Sequence, residues 1–342
     1  MVHYSAGLFG VKYPYTVTRN HISVFIIDKN TDMHLNKVNL VTVEGPQVGQ
    51  RLDNFLMRFF RSVPRAHIYR LIRKGQVRVD KKRCKPEYKL SEGEIVRVPP
   101  VRVSVSVVPD LSVKLREQLL KSVLHETNDC IVLNKPSGLA VHLGTGVNIG
   151  LIEGLRQVKS EWVNAELAHR LDRETSGCII ISKNNQYLRF IQDKFREHAL
   201  RKEYLAVVHG DWSDDCVTVQ APLLKDKETA GQAIVRVKKD GKFAKTQFHL
   251  EKSFGYASLI KAFPKTGRTH QIRVHCQHLG HAIVGDRKYT PIDCDHRFSK
   301  VSRLFLHSRA ITFPTTLQGD SRRIIAPIDR SFSDFLELLR QM

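Results

Sequence analysis

The first third of the chain has apolar positions with the spacing of short amphipathic helices. One helix is indicated by four apolar residues at i, i+3, i+4 and i+7: Leu52, Phe55, Leu56 and Phe59. A second is predicted from Pro64, because proline is tolerated in a first turn, to a stop at Gly75. Its apolar face has three residues: Ile68, Leu71 and Ile72. A short strand at residues 77–80 and the segment 90–98 complete a small module.

Beyond a linker that starts at Pro99 and Pro100, the pattern predicts more strands than helices. Strands are predicted at residues 130–133, 178–182, 204–209, 234–238, 245–250 and 257–262. Helices are predicted at 112–124, 149–159, 186–199, 270–279 and 332–340. Strands and helices do not alternate regularly, so we predict the α+β class, with a mixed, largely antiparallel sheet flanked by helices. The predicted domains are residues 45–108 and 109–342, after a partly disordered extension, residues 1–44.

The charge of the chain points to a polyanionic partner. The 342 residues include 55 lysines and arginines against 34 aspartates and glutamates, a formal charge of +21. Residues 49–108 alone hold 15 basic and 5 acidic residues. No apolar run of about 18 residues and no basic amphipathic helix with a clean apolar face is present, so a membrane is not expected as a partner. Nucleic acid is therefore favoured.

Basic side chains cover the outer face of the second predicted helix and the turn that follows. They are Arg65, His67, Arg70, Arg73, Lys74, Lys81, Lys82 and Arg83. A solvated helix face would show the same run of charge. The six cysteines are scattered without paired spacing and no signal-peptide pattern is present, so we expect a cytoplasmic protein with reduced thiols. We also expect the protein to be a monomer.

The segment HRLDRETSG, residues 169–177, concentrates ionisable side chains directly before an apolar strand. Asp172 is flanked by Arg170 and Arg173, whose charges are expected to keep it ionised, as a nucleophile or base requires. A surface cluster of salt bridges is the alternative explanation. The segment is not a kinase catalytic loop, since the downstream Asn and the DFG motif are missing, and the chain has neither a G-x-S-x-G elbow nor a P-loop.

One group of residues could suggest a metal site: His270, His275, Cys276, His278 and His281. Their order lacks the H-E-x-x-H or C-x-x-C spacing of zinc sites. We therefore predict that no metal binds there.

Two families share the motifs of this chain. QRLDNFL, VPRAHIYRLIRKGQVRVDKKR and KPEYKLSEGEIVRVP together resemble the S4 RNA-binding domain. HRLDRETSG resembles the catalytic motif of the RluA-type pseudouridine synthases, in which its aspartate is invariant. Further segments match that family in order: LNKPSGLAVH, KEYLAVVHG, PKTGRTHQIRVH and RLFLHS. The similarity spans about residues 45–340, and the details IEGLR and APLLK resemble the members that act on 23S ribosomal RNA.

The resemblance implies an enzyme that cleaves the N1–C1′ bond of specific uridines and rejoins the base through C5, with no cofactor. It implies that Asp172 is the nucleophile or base, that Tyr204 lies against the target base and helps remove the C5 proton, and that Arg273 pairs with Asp172. Arg170 would enter the RNA duplex as the uridine leaves. Four more residues of these motifs are expected at the RNA: His169, Arg268, His270 and Gln271.

Two other functions stay open at this point. An S4-type binding or assembly protein with an inactive second domain would fit the charge, although Asp172, Tyr204 and Arg273 are intact. An RNA methyltransferase would need a glycine-rich loop between a strand and a helix, and the glycines of residues 144–150 are isolated. The sequence names neither the target uridines nor the atom that Asp172 attacks, C1′ or the C2′ proton.

Overall fold

The computed structural model describes residues 38–60, 63, 65–101, 111–142, 149–227, 233–291 and 296–342. The chain divides into two compact units, Met1–Val107 and Val108–Met342. Most of the predicted extension, up to residue 37, lies outside the described residues, and so does Pro64. Each unit has its own apolar core.

The N-terminal unit packs two helices on a small sheet. Its elements are β1 (Asn39–Thr42), α1 (Leu52–Phe59), α2 (Arg65–Arg73), β2 (Arg78–Val79) and β3 (Ile95–Val98). The sheet is antiparallel, in the order β1-β3-β2. Both predicted helices are present, and α2 ends where Gly75 takes a φ of +65° and its N–H binds the carbonyl of Ile72.

Two strands of this unit differ from the sequence-based expectation. β1 falls within the residues that were predicted as an extension, and it pairs along its full length with β3. The strand predicted at 77–80 is only two residues long, because Asp80 and Lys81 take φ values of 45° and 66° and turn the chain. The side chain of Asp53 joins the helices: it accepts two hydrogen bonds from Arg51 and one from Tyr69 in α2.

The C-terminal unit is built on a large sheet with helices beside it. Its helices are α3 (Val113–Lys121), α4 (Leu151–Leu155), α5 (Asn185–Arg196), α6 (Gln271–His278) and α7 (Arg330–Gln341). Its strands are β4 (Val123–Glu126), β5 (Cys130–Lys135), β6 (Glu166–Leu167), β7 (Ser176–Ser182), β8 (Arg201–His209), β9 (Cys216–Gln220), β10 (Leu223–Lys227), β11 (Ala233–Val237), β12 (Lys245–Ser253), β13 (Ala257–Pro264), β14 (Leu306–Pro314) and β15 (Ser321–Ile325).

Ten of these strands form one mixed sheet. The main path is β4-β5-β7-β14-β8-β13-β12-β9, while β15 pairs with β14 and β6 with β7. Only the β7–β14 pairing is parallel among the described strands; β10 and β11 form a separate antiparallel pair. The predicted α+β class with a mixed, largely antiparallel sheet is confirmed. The helix predicted at 112–124 is shorter, because residues 123–126 pair with β5 instead.

The structure explains why the last residue of HRLDRETSG, Gly177, is a glycine. Gly177 pairs with Ser308 in the β7–β14 contact and has a φ of +105°, and a Cβ added there would lie 2.2 Å from the carbonyl oxygen of Ser308. No other residue type fits this approach of two backbones. The loop that carries Asp172 is therefore fixed at its end to the middle of the sheet.

Candidate active site

A cavity of about 530 Å³ opens between two loops of the C-terminal unit. One loop runs from β6 to β7 and carries HRLDRETSG, and the other joins β13 to α6. The first residues of β8 form a wall between them. The motif residues that line the cavity are His169, Arg170, Asp172, Tyr204, Arg268, His270, Gln271 and Arg273. Residues more than 100 positions apart are thus brought to one place.

The carboxylate of Asp172 is held by one of its two oxygens. Its Oδ2 lies 3.2 Å from Nη1 of Arg273 and 3.7 Å from Nε2 of His270. No hydrogen bond or ion pair from the described residues reaches Oδ1. The side chain is 22% exposed, so the cavity gives access to it. One oxygen is fixed by charge, and the other is open to a ligand.

Arg273 is shared between two carboxylates. Its Nε and Nη2 donate to Asp286 at 2.7 and 2.8 Å, and its guanidinium lies 5.0 Å from the ring centre of Tyr289. The side chain of Asp286 is fully buried. Burial alone would lower the pKa of Arg273, but the hydrogen bonds and charges of Asp286 and Asp172 raise it above its usual value. The pairing of Arg273 with Asp172 that the resemblance implied is present, and Asp286 fixes its geometry.

His270 faces Asp172 as a neutral ring. It precedes α6 with a φ of 53°, and burial lowers its pKa to about 4. Its Nδ1 lies 2.6 Å from the hydroxyl of Tyr289, whose oxygen accepts the N–H of Val235 at 3.1 Å. The Tyr289 hydroxyl can then donate its proton to Nδ1, and in that tautomer the ring proton is on Nε2, which lies 3.7 Å from Asp172.

A buried lysine, Lys135, binds backbone carbonyls of the loop that carries Asp172 and of a neighbouring segment. The Nζ of Lys135 donates to the backbone carbonyls of Pro136, Leu139 and Arg173, each at 2.9 Å. Burial lowers the pKa of Lys135 to about 7. The side chain of Arg173 binds the carbonyl of Gly138 instead of Asp172. Among the described residues, the cation that contacts Asp172 is therefore Arg273 and not the flanking Arg173, whose guanidinium joins two loops.

Tyr204 lies on β8 with its ring against two apolar clusters. Burial raises the pKa of its hydroxyl to about 12, which keeps the phenol neutral. Arg170 is exposed at the cavity and Arg268 binds the carbonyl of Phe243 at 3.0 Å. Both side chains are exposed to solvent.

Two of the residues that were expected to contact RNA, Gln271 and His169, form hydrogen bonds to other residues of the protein. The carbonyl of Gln271 accepts from Thr266 and from the Arg268 N–H, and its amide donates to Lys245 and Thr246. The Nε2 of His169 accepts the N–H of Ile180, and burial lowers the pKa of that ring to about 3. These contacts hold the two loops in place, and the expectation that His169 and Gln271 also bind RNA stays a prediction.

The basic residues of the small module lie in the N-terminal unit. The arginines and lysines among them are exposed: Arg65, Arg70, Arg73, Lys74, Lys81, Lys82 and Arg83. His67 is half-buried beside Arg70. Arg83 lies across Gly75, where a Cβ would come within 2.5 Å of its Nε. The basic surface thus continues from α2 onto the following turn.

Neither a metal cluster nor a membrane-spanning helix is found in the part of the chain that the structure describes. His275 uses both ring nitrogens, on Thr246 and on the carbonyl of Ala221. His281 binds the carbonyl of His209, and Cys276 is buried. These residues do not converge.

Three residues of the site were not predicted from the sequence. Lys135 was part of a recognised motif but received no role, and Asp286 and Tyr289 were not singled out. Both lie in HAIVGDRKYT, where charged residues follow an apolar run. That interruption was the available signal, because a carboxylate directly after a buried apolar run needs a partner.

Comparison with known proteins gives the same domain order. The family described as RNA pseudouridylate synthase matches residues 129–278, and the S4 domain matches residues 50–96. The chain is 46% identical to Ribosomal large subunit pseudouridine synthase C of Pasteurella multocida, over 89% of this chain and 94% of that protein. It is 44% identical to the protein of the same name from Escherichia coli strain K12, over 89% and 97%.

Solved structures agree in fold. Human RNA Pseudouridylate Synthase Domain Containing 4 superposes with a TM-score of 0.56 at 24% identity, over 66% of this chain and 96% of that one. Human RNA Pseudouridylate Synthase Domain Containing 1 gives 0.51 at 23%, over 65% and 95%. The chain belongs to the RNA pseudouridine synthase family of enzymes and carries an S4 domain before its catalytic domain.

Proposed function

We propose that the protein isomerises uridines of large-subunit ribosomal RNA, with Asp172 as its catalytic carboxylate. The observation that carries the role of Asp172 is its position: it faces a cavity with one oxygen on Arg273 and the other open. The relatives named Ribosomal large subunit pseudouridine synthase C support the choice of RNA.

The reaction requires an ionised carboxylate in a site that restricts the access of water. The N1–C1′ bond breaks, the uracil turns, C5 joins C1′, C5 loses its proton and N1 gains one, so the product is an isomer of the substrate. Asp172 can act by adding to C1′ or by removing the C2′ proton, and both routes use a charged oxygen. The guanidinium of Arg273 holds Oδ2 of Asp172 at 3.2 Å, and Nε2 of His270 lies 3.7 Å from the same oxygen.

Tyr204 fits a contact with the base better than a proton-accepting role. A buried phenol with a pKa of about 12 is a weak acceptor and loses its proton only at high pH. Its ring instead offers an apolar face in the cavity wall. Arg170 is exposed at the cavity, and in this proposal it occupies the space that a flipped uridine leaves.

One chain in the cytoplasm is the proposed working unit. The five described cysteines are free thiols, as in a reducing compartment. The exposed basic residues of α2 and its turn would supply phosphate contacts that orient the RNA.

The test replaces Asp172 by Asn and measures tritium release from C5-labelled uridine in ribosomal RNA. D172N keeps the shape of the side chain and removes its charge, so release should fall to background while RNA affinity is unchanged. Glu174→Gln is the matched control, because it neutralises an exposed carboxylate of the same loop and should leave the rate unchanged. Turnover by D172N would reject the assignment. Mapping pseudouridines in RNA from cells without the protein identifies the target.

A further inference from the structure

A second cavity of about 590 Å³ adjoins the candidate active site. The two cavities share His198, Lys202 and Pro264 as a common wall. The second is a groove over the start of β8, the middle of β12 and the end of β13. A strand of RNA that places one nucleotide in the active site has this groove as an adjacent path.

The groove is basic, and most of its positive charge is unpaired. Its cationic side chains are Arg201, Lys202, Lys261 and Lys265, against one carboxylate, Glu251. Glu251 forms an ion pair with Lys261. Within the described ranges of the chain, no carboxylate lies within 4.0 Å of the nitrogens of Arg201, Lys202 or Lys265. Three neighbouring cations without a counter-charge favour an anionic ligand.

Lys202 stands where the two cavities meet. Its Nζ donates to the carbonyl of Thr266 at 3.3 Å, which leaves two of its three donor positions for a ligand. Burial and the nearby charge of Lys265 lower the pKa of Lys202 to about 8. A lysine whose charged form is disfavoured by the protein gains more from an arriving anion than a solvated one does.

Aromatic rings lie among these cations. Phe263 and His249 line the same groove, with ring centres 5.5 Å apart, and the guanidinium of Arg201 lies 5.7 Å from the centre of Phe263. Cations along a groove with aromatic faces between them are the usual surface for single-stranded nucleic acid. The mixture therefore favours a nucleic acid strand over a free anion.

We propose that Lys202, together with Lys265 and Arg201, binds a backbone phosphate of the RNA strand next to the uridine that enters the active site. The proposal rests on the function proposed above. It adds a phosphate subsite within the catalytic domain, separate from the basic surface of the N-terminal unit. Its role is to position the strand, and no bond is made or broken there.

Salt dependence of RNA binding tests the proposal in the full-length protein. The probe is a fragment of deproteinised large-subunit ribosomal RNA that the wild-type protein modifies. Lys202→Met should reduce the slope of log Kd against log salt concentration by about 0.7, the value for one phosphate contact with a single strand. Lys265→Met, at an exposed position that tolerates the change, should reduce it equally. Lys202→Arg should restore the slope.

Lys261→Met is the matched control. It removes the same charge from the same groove, but Glu251 already neutralises that lysine, so the slope should stay at the wild-type value. Unchanged slopes for both Lys202→Met and Lys265→Met would overturn the phosphate site. Binding of uridine monophosphate as tight as that of the RNA fragment would also overturn it, in favour of a free nucleotide. If the wild-type protein modifies no ribosomal RNA, the function proposed above fails instead.

Discussion

Arg273 holds Asp286 with two hydrogen bonds, from Nε and Nη2, and reaches Asp172 with only one donor, Nη1. Asp286 is fully buried, whereas Asp172 faces the cavity. The arginine is therefore anchored by a carboxylate that no substrate can touch. Its remaining edge is fixed in place for Asp172, and a substrate need not reorganise the pair when it binds.

This division predicts that the two carboxylates differ in their effect on stability. Asp286→Asn breaks a buried bidentate pair and should lower the free energy of unfolding by about 3 kcal/mol. Asp172→Asn leaves Arg273 paired with Asp286, so its cost should stay below about 1 kcal/mol. Equilibrium unfolding in urea measures both. Equal losses would mean that Arg273 depends on both carboxylates alike.

The hydroxyl of Tyr289 is predicted to act on the reaction through His270. Tyr289→Phe removes the contact at Nδ1, so the Nε2 proton is no longer fixed toward Asp172. The single-turnover rate should fall about tenfold, which corresponds to about 1.4 kcal/mol, with RNA affinity unchanged. Tyr256→Phe is the control, since its hydroxyl binds the carbonyl of Leu339 away from the site. Equal rates for both variants would leave Tyr289 with a packing role only.

The sequence predicted what depends on local pattern. The helices α1 and α2 followed from the spacing of their apolar residues, and Gly75 from its place after the last one. The short strands β1 and β2 were harder to predict, because they are held by pairing with β3 and have little hydrophobic pattern of their own. The partners of β1 lie more than 50 positions away in β3, and those of β2 lie 17 to 19 positions away.

The site shows the same limit. The motifs placed Asp172, Tyr204 and Arg273 in one cavity, but motif membership did not separate residues that face a ligand from residues that hold the loops. Gln271 lies in the same motif as Arg273, yet all its hydrogen bonds go to the protein. That distinction depends on which polar atoms are already satisfied, and only three-dimensional contacts decide it.

Acid should destabilise the catalytic domain well above the usual range of its carboxylates. Burial lowers the pKa of His169 to about 3 and those of His270 and His307 to about 4. In the unfolded chain these rings titrate near 6.5, so the unfolded state binds up to three more protons between pH 6.5 and 4. Their contribution to stability is complete above pH 6.5 and is lost as the pH falls toward 4.

The measurement is the free energy of unfolding between pH 7 and 5. Its slope should reach about 4 kcal/mol per pH unit at the steepest point, for three protons. His307→Gln should reduce that slope by about one proton, whereas His278→Gln, at an exposed position of α6, is the control and should leave it unchanged. A slope that is the same in His307→Gln and in the wild type would contradict the assignment to buried histidines.

The N-terminal unit should supply affinity and leave the chemistry to the rest of the chain. Residues 49–108 carry 15 of the 55 basic residues, while the motif residues of the candidate site lie beyond residue 133. Deleting residues 1–108 should therefore weaken RNA binding strongly and change the rate on saturating RNA little. The deletion ends close to the division between the two compact units, so the catalytic domain should keep its own core.

Salt dependence separates this prediction from a general loss of folding. Each lost phosphate contact should lower the slope of log affinity against log salt by roughly 0.7 to 0.9. A full-length variant with Arg65, Arg70, Arg73 and Lys74 changed to Gln should lose part of the same slope, because these side chains are exposed on and just after α2. If the deletion keeps both the wild-type slope and the wild-type Kd, the basic face of α2 is only a solvated surface, and RNA is held by the catalytic domain alone.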